Sequence, residues 1–244
     1  MSKSEFTLHS HVRRGEGGPL DYIRGFSEFL GCKIDLSQKP MIPRPETEFW
    51  LKKAIKSINR ARREVVCLDI FAGSGCIGIA VLKNCPELCR EAVFGEIDKN
   101  LVKQIKLNLK INKIPAKRYK VIQSDIFEKI NGMPPHQKFG GGGKYDYIFA
   151  NPPYVAKKRK YLVQKSVLDF EPHKALFGGG DGMFFINKFL KDAKKYLNKN
   201  GKIYLEFDSF QKKIIEKLLK QFGYKKFKFY KDQFRKWRWV VVIC

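Results

Sequence analysis

Apolar residues along this chain gather in short runs, and between the runs they recur at helical spacing. Val65-Val66-Cys67-Leu68-Asp69-Ile70 reads as a buried strand. Ala92-Val93-Phe94-Gly95-Glu96, Tyr119-Lys120-Val121-Ile122-Gln123 and Tyr145-Asp146-Tyr147-Ile148-Phe149-Ala150 repeat the pattern. The spacing predicts helices over 77–82 and 100–110, then a loop-rich stretch over 155–180 and a helix over 183–197. A strand over 202–207, a helix over 211–221 and two strands near 224–230 and 236–243 follow. The short link between the last two makes them an antiparallel pair. Strands alternating with helices predict an α/β fold, a mostly parallel seven-stranded sheet covered on both faces. Ahead of it, Phe29 to Leu36 reads as one arm of a short hairpin, and Pro45 opens a helix with Glu46 and Glu48 at its positive end.

Right-handed crossovers bring the carboxyl ends of parallel strands to one edge, where ligands of open α/β sheets bind. Asp69, Gly73, Glu96, Asp125 and Asn151 fall on that edge, drawn from four strands. Asn151-Pro152-Pro153-Tyr154 ends the fourth strand; its prolines stop the strand and hold Asn151 extended. The Asn151 side-chain oxygen and the Pro152 carbonyl make two acceptors for an incoming NH2 group, and Tyr154 offers a flat face. Ordinary turn chemistry also accounts for Asn-Pro and Pro-Pro. Phe71-Ala72-Gly73-Ser74-Gly75 leads into a helix whose amino end suits a phosphate or a carboxylate. Glu96 suits a ribose hydroxyl pair, and Asp125 an adenine amino group. Each acid alone is an unremarked strand end. Together with the helix end they match S-adenosylmethionine, with a methyl acceptor held at Asn151.

Composition narrows the class. With 244 residues, 43% hydrophobic and 14% aromatic, the chain has material for one globular domain, or one with a small appendage. No apolar run approaches ~20 residues, and the first ten residues lack a secretory core, so a cytoplasmic protein without membrane contact is expected. Several of the six cysteines sit in apolar segments as reduced thiols, and His9, His11, His136 and His173 show no pairing pattern, so no metal is expected. A net charge of +25 attracts RNA or the ribosome weakly and without specificity. The lysines are spread over every segment, which favours a compositional origin. Residues 1–25 are polar and read as poorly ordered, then turning; 130–143, glycine-rich, reads as a surface insertion.

Four stretches carry a family resemblance: Pro43-Arg44-Pro45-Glu46-Thr47-Glu48, Asp69 to Gly75, Asn151 to Tyr154, and Phe170 to Gly179 with Asp181-Gly182. In these the chain resembles the HemK-type release-factor glutamine methyltransferases. The resemblance runs from about Arg14 to the end. It implies a Rossmann-like class I fold and methyl transfer from S-adenosylmethionine to the side-chain amide nitrogen (N5) of a glutamine. That glutamine lies in the Gly-Gly-Gln motif of peptide chain release factors. The resemblance places Phe71, Ala72, Gly73, Ser74, Gly75, Glu96, Asp125, Ile126 and Asn151 against the cofactor. It places Asn151, Pro152, Pro153 and Tyr154 against the glutamine, with Asn151, Pro152 and Tyr154 acting in the transfer.

Three departures stand out. The family's glycine-rich loop usually opens Gly-Thr, where this chain has Phe71-Ala72. The ribose acid is usually Asp, where this chain has Glu96, with Asp98 close by. A helical domain usually precedes the Arg14 region, and here almost none is present. Residues 1–40 are therefore expected as a short segment and hairpin, the remnant of a docking region, and 41–244 as the methyltransferase domain. Other readings stay open on the sequence: an adenine-N6 DNA or RNA methyltransferase, a ribosomal-protein glutamine as target, or a cofactor-binding accessory protein without activity.

Overall fold

The computed structural model describes residues 18–130 and 144–244. The expectations for 1–17 and 131–143, including His9, His11 and His136, lie outside the described residues. In chain order the elements are α1 (Leu20–Arg24), β1 (Phe26–Phe29), β2 (Cys32–Asp35), α2 (Pro45–Ala61), β3 (Val65–Ile70), α3 (Cys76–Asn84), β4 (Cys89–Glu96), α4 (Lys99–Ile111), β5 (Tyr119–Gln123) and β6 (Tyr145–Ala150). After these come α5 (Lys165–Phe170), α6 (His173–Leu176), α7 (Phe184–Ala193), β7 (Leu197–Glu206), α8 (Lys212–Gln221), β8 (Lys226–Lys231) and β9 (Trp237–Ile243).

Seven strands form one sheet in the order β5-β4-β3-β6-β7-β9-β8, parallel from β5 to β7, with β9 antiparallel to both neighbours. β3 and β6 are buried at every residue, as strands covered on both faces must be. Their side chains alternate between two cores. Leu68, Ile70, Ile148 and Ala150 pack with Phe189, Leu190 and Ile215 under α7 and α8. Cys67, Tyr147 and Phe149 pack with Trp50, Ile79 and Phe94 under α2 and α3. From β3 the chain winds outward to β4 and β5, then returns to lay β6 on the other side of β3. The order reverses at β3 and β6, which opens a crevice beyond their carboxyl ends.

The expected strands at 65–70, 119–123 and 145–150 are found with those bounds. The first hairpin differs. Phe29 to Leu36 is not one arm but the end of β1, a two-residue turn and the whole of β2. Leu30 and Gly31 both hold positive φ (48° and 75°), the backbone of a tight hairpin turn. The hairpin buries Phe29, Cys32, Ile34 and Leu36 in the same core as α3 and α4. Its edge strand β2 is held by an amide ladder on α4. Asn108 Oδ1 accepts the Asp35 N–H (2.8 Å), and Asn112 Oδ1 accepts the Lys33 N–H (3.1 Å). One turn earlier, Gln104 Oε1 accepts the Gln38 N–H (2.8 Å). Residues four apart line one helix face, so two amides meet β2 and the third meets the turn that follows it.

Candidate active site

The chain leaves β3 through a loop whose first residue, Phe71, stands in the left-handed region (φ 60°). A side chain there strains the backbone, and glycine would relieve it. Phe71 is held in place by its ring, which meets Phe185 edge-on (5.9 Å between centroids) and lies 6.3 Å from Phe189. The rings of α7 thus hold Phe71 in a left-handed conformation despite its side chain. Gly75 then caps α3, whose first residues are apolar and buried.

Glu96, at the end of β4, is 7% exposed. Its Oε2 accepts the Gly73 N–H (2.8 Å) and its Oε1 accepts the Asp98 N–H (2.9 Å). Each oxygen keeps a further lone pair for a ligand hydroxyl. Burial raises its pKa, and these backbone bonds act the other way. Asp98 caps α4 through the Asn100 N–H (2.8 Å) and pairs with Lys174, whose hydrogen bond holds its carboxyl below the usual range. Asp125 pairs with Lys188 of α7 (2.5 Å).

Asn151 leaves β6 as expected. Its Nδ2 lies 3.4 Å from Thr47 Oγ1, on the first turn of α2. The hydroxyl of Thr47 donates to Glu206 Oε2 (2.7 Å), at the end of β7. Glu206 is 1% exposed. It also accepts the Trp50 indole N–H (2.7 Å) and the Tyr154 hydroxyl (3.0 Å). Tyr154 is buried beneath the loop, and burial pushes its hydroxyl pKa far up. The loop backbone is clamped from outside. Val155 donates to Leu176 (2.8 Å), and Gln211 Nε2 bonds the carbonyls of Tyr154 (2.9 Å) and Gly182 (3.0 Å). A Cβ on Gly178 would sit 2.3 Å from the Pro153 oxygen, and one on Gly182 would sit 2.2 Å from the Tyr154 oxygen. Only glycine allows backbones that close. The stretch from Glu171 to Gly182 therefore braces the Asn-Pro-Pro-Tyr loop. Glu171 joins it to the Pro-Arg-Pro-Glu segment by accepting from buried Arg44 (2.5 Å) and the Ile42 N–H (3.2 Å).

A cavity of about 330 Å³ lies over the crevice. Phe71, Ala72, Gly73, Ser74, Glu96, Asp125, Ile126, Asn151 and Pro153 all line it. Pro152 and Tyr154 instead border a small adjoining recess, shared with Met41 and Ala175. Gly75 lines neither. Residues to which sequence reasoning assigned no ligand role also line the main cavity, among them Met41, Ile97, Leu101, Ser124, Lys174 and Phe185. Glu206, which the sequence pattern did not single out, is the hub that joins β7, α2 and the loop. The isolated Thr47 inside Pro-Glu-Thr-Glu is the one signal that pointed toward it. No group of three or more His, Cys, Asp or Glu side chains is placed to hold a metal among the described residues.

The cavity suits S-adenosylmethionine in its donor set as well as its size. Carboxylate lone pairs, open glycine backbone at a helix start and apolar walls belong to the sites of small polar-ended ligands. Comparisons with known proteins agree. A family model described as "Conserved hypothetical protein 95" matches residues 33–187. The chain is 34% identical over 237 residues to the release factor glutamine methyltransferase of Thermodesulfovibrio yellowstonii, covering 95% of this chain and 78% of the relative. It is 33% identical over 224 residues to that of Rhodopirellula baltica, covering 90% and 72%.

The chain belongs to the release factor glutamine methyltransferase family.

Solved structures support the fold alone. A methyltransferase from Pyrococcus furiosus superposes with a TM-score of 0.58 at 21% identity, over 87% of this chain and 88% of that one. The hMettl16 catalytic domain in complex with MAT2A 3'UTR hairpin 1 gives 0.66 at 18% identity, over 88% and 75%. Fold and family together make this chain an S-adenosylmethionine-dependent methyltransferase of class I. No helix among the described residues is long and apolar enough to cross a membrane.

Proposed function

We propose that the enzyme methylates the side-chain amide nitrogen (N5) of the glutamine in the Gly-Gly-Gln motif of a peptide chain release factor. The observation that carries this reading is Asn151 and Glu96 on the walls of one cavity, in a chain with curated relatives of that name. When bound, S-adenosylmethionine supplies a methyl group on a positively charged sulfur. The starts of the Gly73-Ser74 loop and of α3 would hold its carboxylate, Glu96 its ribose, and Asp125 and Ile126 its adenine. Phe71, Ala72 and Gly75 shape that loop.

An amide nitrogen is a poor nucleophile because its lone pair is delocalised. Asn151 Oδ1 and the Pro152 carbonyl accept the two amide hydrogens of the glutamine and set the direction of its nitrogen. Pro153 and Tyr154 hold those two acceptors in place, Pro153 through its rigid ring and Tyr154 through its anchored hydroxyl. Catalysis then rests on orientation and on acceptors fixed before the substrate arrives. No side chain has to remove a proton before the transfer.

The division of labour along the chain is proposed likewise. Among the described residues, every one bordering the cavity falls within 41–244, the methyltransferase domain, and the hairpin of β1 and β2 belongs to the docking side. A release factor as substrate puts the reaction in the cytoplasm. The +25 charge adds weak, non-specific attraction to RNA or the ribosome.

The test is methylation with labelled S-adenosylmethionine, using purified release factor, its Gly-Gly-Ala variant and DNA as acceptors. Label should enter only the first. Asn151→Ala should lower the rate far more than about tenfold, equal to ~1.4 kcal/mol of barrier, while cofactor binding changes less. Label in DNA, or an Asn151→Ala rate within tenfold of the parent, would sink the reading.

A further inference from the structure

A carboxamide can be placed either way round, and only one way serves this reaction. The oxygen of Asn151 has to face the substrate and its NH2 has to face away. Three hydrogen bonds on the far side of the side chain decide between the two. Trp50 Nε1 can only donate, and it meets Glu206 Oε2 at 2.7 Å, which marks that oxygen as an acceptor. Thr47 meets the same oxygen at 2.7 Å, so its one hydroxyl hydrogen is committed to Glu206. What Thr47 Oγ1 has left is a lone pair, and this points at Asn151 Nδ2, 3.4 Å away. Turned round, Asn151 would bring its own oxygen against that lone pair, with no hydrogen between them. Glu206 itself cannot turn, because its other oxygen holds the Tyr154 hydroxyl at 3.0 Å. Nor is it open to substrate, being covered by Thr47, Trp50 and Tyr154.

We infer that Glu206 and Thr47 are positioning residues: they pass a fixed hydrogen-bond direction to Asn151 and so keep its oxygen facing the glutamine amide. This rests on the reading of Asn151 as the acceptor of the substrate amide. The three residues come from β7, α2 and the loop after β6. The Pro-Arg-Pro-Glu-Thr-Glu stretch thus serves the Asn-Pro-Pro-Tyr stretch through one hydroxyl. It also explains why Thr47 is buried on the first turn of α2 and faces inward.

Thr47→Val keeps the shape of the side chain and removes the hydroxyl. With purified release factor it should lower kcat about tenfold or more, the scale of one lost directed hydrogen bond. KM for release factor and the calorimetric dissociation constant for S-adenosylmethionine should stay within about twofold. Thr47→Ser should recover kcat to within about threefold of the parent. A general disturbance of the cavity would move cofactor affinity as well, because Thr47 and Asn151 line the same walls. If Thr47→Val fails to fold, Thr47→Ala is held to the same expectation. The proposal is overturned by a Thr47→Val kcat within threefold of the parent, or by a serine variant as slow as the valine one. Asn151→Ala is assayed alongside. If it is active, the reading of Asn151 is wrong; if it is dead while Thr47→Val is fast, only the relay is wrong.

Discussion

Asp69 sits on β3 with its carboxyl wholly enclosed; Oδ2 accepts the Gly78 N–H (2.9 Å) and Oδ1 has no partner. Burial raises its pKa from the ordinary 3.8 to about 8, the Gly78 bond opposing and the nearby Glu96 charge adding. An acid whose folded pKa lies above its unfolded one supports the fold most fully below the unfolded value. That support is lost as pH rises from about 4 to about 8. Asp69→Asn should therefore flatten the fall in stability over this range, by up to about 1.4 kcal/mol per pH unit. Denaturant melts of both proteins at several pH values would check it; parallel curves would refute the assignment. Phe71 shows the limit of reading at this scale. Its departure from glycine was visible in the sequence. The two rings on α7 that hold it in a conformation costing roughly 1–2 kcal/mol per residue were not.

At the scale of the element, α4 is the instructive case. Gln104, Asn108 and Asn112 recur every fourth residue, a spacing that puts three polar side chains on one helix face. All three are buried, because the edge of β2 needs partners for its backbone groups and α4 supplies them. Asn108 also donates to the Ser74 carbonyl (2.9 Å), which ties the hairpin to the cofactor loop. Asn108→Ala strands the Asp35 N–H and carbonyl together with that of Ser74. A loss of roughly 2–4 kcal/mol in unfolding free energy is expected, with weaker S-adenosylmethionine binding. Urea denaturation and calorimetry measure the two; a change under about 0.5 kcal/mol, normal for an exposed site, would mean the ladder contributes little.

Across the whole molecule, the cavity is where separate parts of the chain meet. Its walls come from the start of α2, the ends of β3, β4 and β6, the loop after β5 and the stretch beyond α5. A ligand that bridges them should stabilise the folded state as one unit. At a concentration a hundred times its dissociation constant, S-adenosylmethionine should add about 2.7 kcal/mol, raising Tm by roughly 5–10 °C for a chain of this size. Glu96→Ala should reduce that rise at equal ligand concentration. A thermal shift series settles the point, and an undiminished rise in the variant would remove Glu96 from the cofactor site.

The strand pattern, the proline pairs and the order of strands and helices were enough to set the sheet, its edge and, of the residues expected there, Gly73, Glu96, Asp125 and Asn151; Asp69 instead lies enclosed within β3 and does not line the cavity. These depend on local backbone preference and on the period of burial, which adjacent residues carry between them. The direction of the Asn151 amide, the burial of Glu206 and the ladder on α4 were decided only by folding. Each rests on hydrogen bonds between groups 52 or more residues apart. A polar side chain reads the same in a sequence whether it faces water or a partner, and only the packed chain determines which it meets.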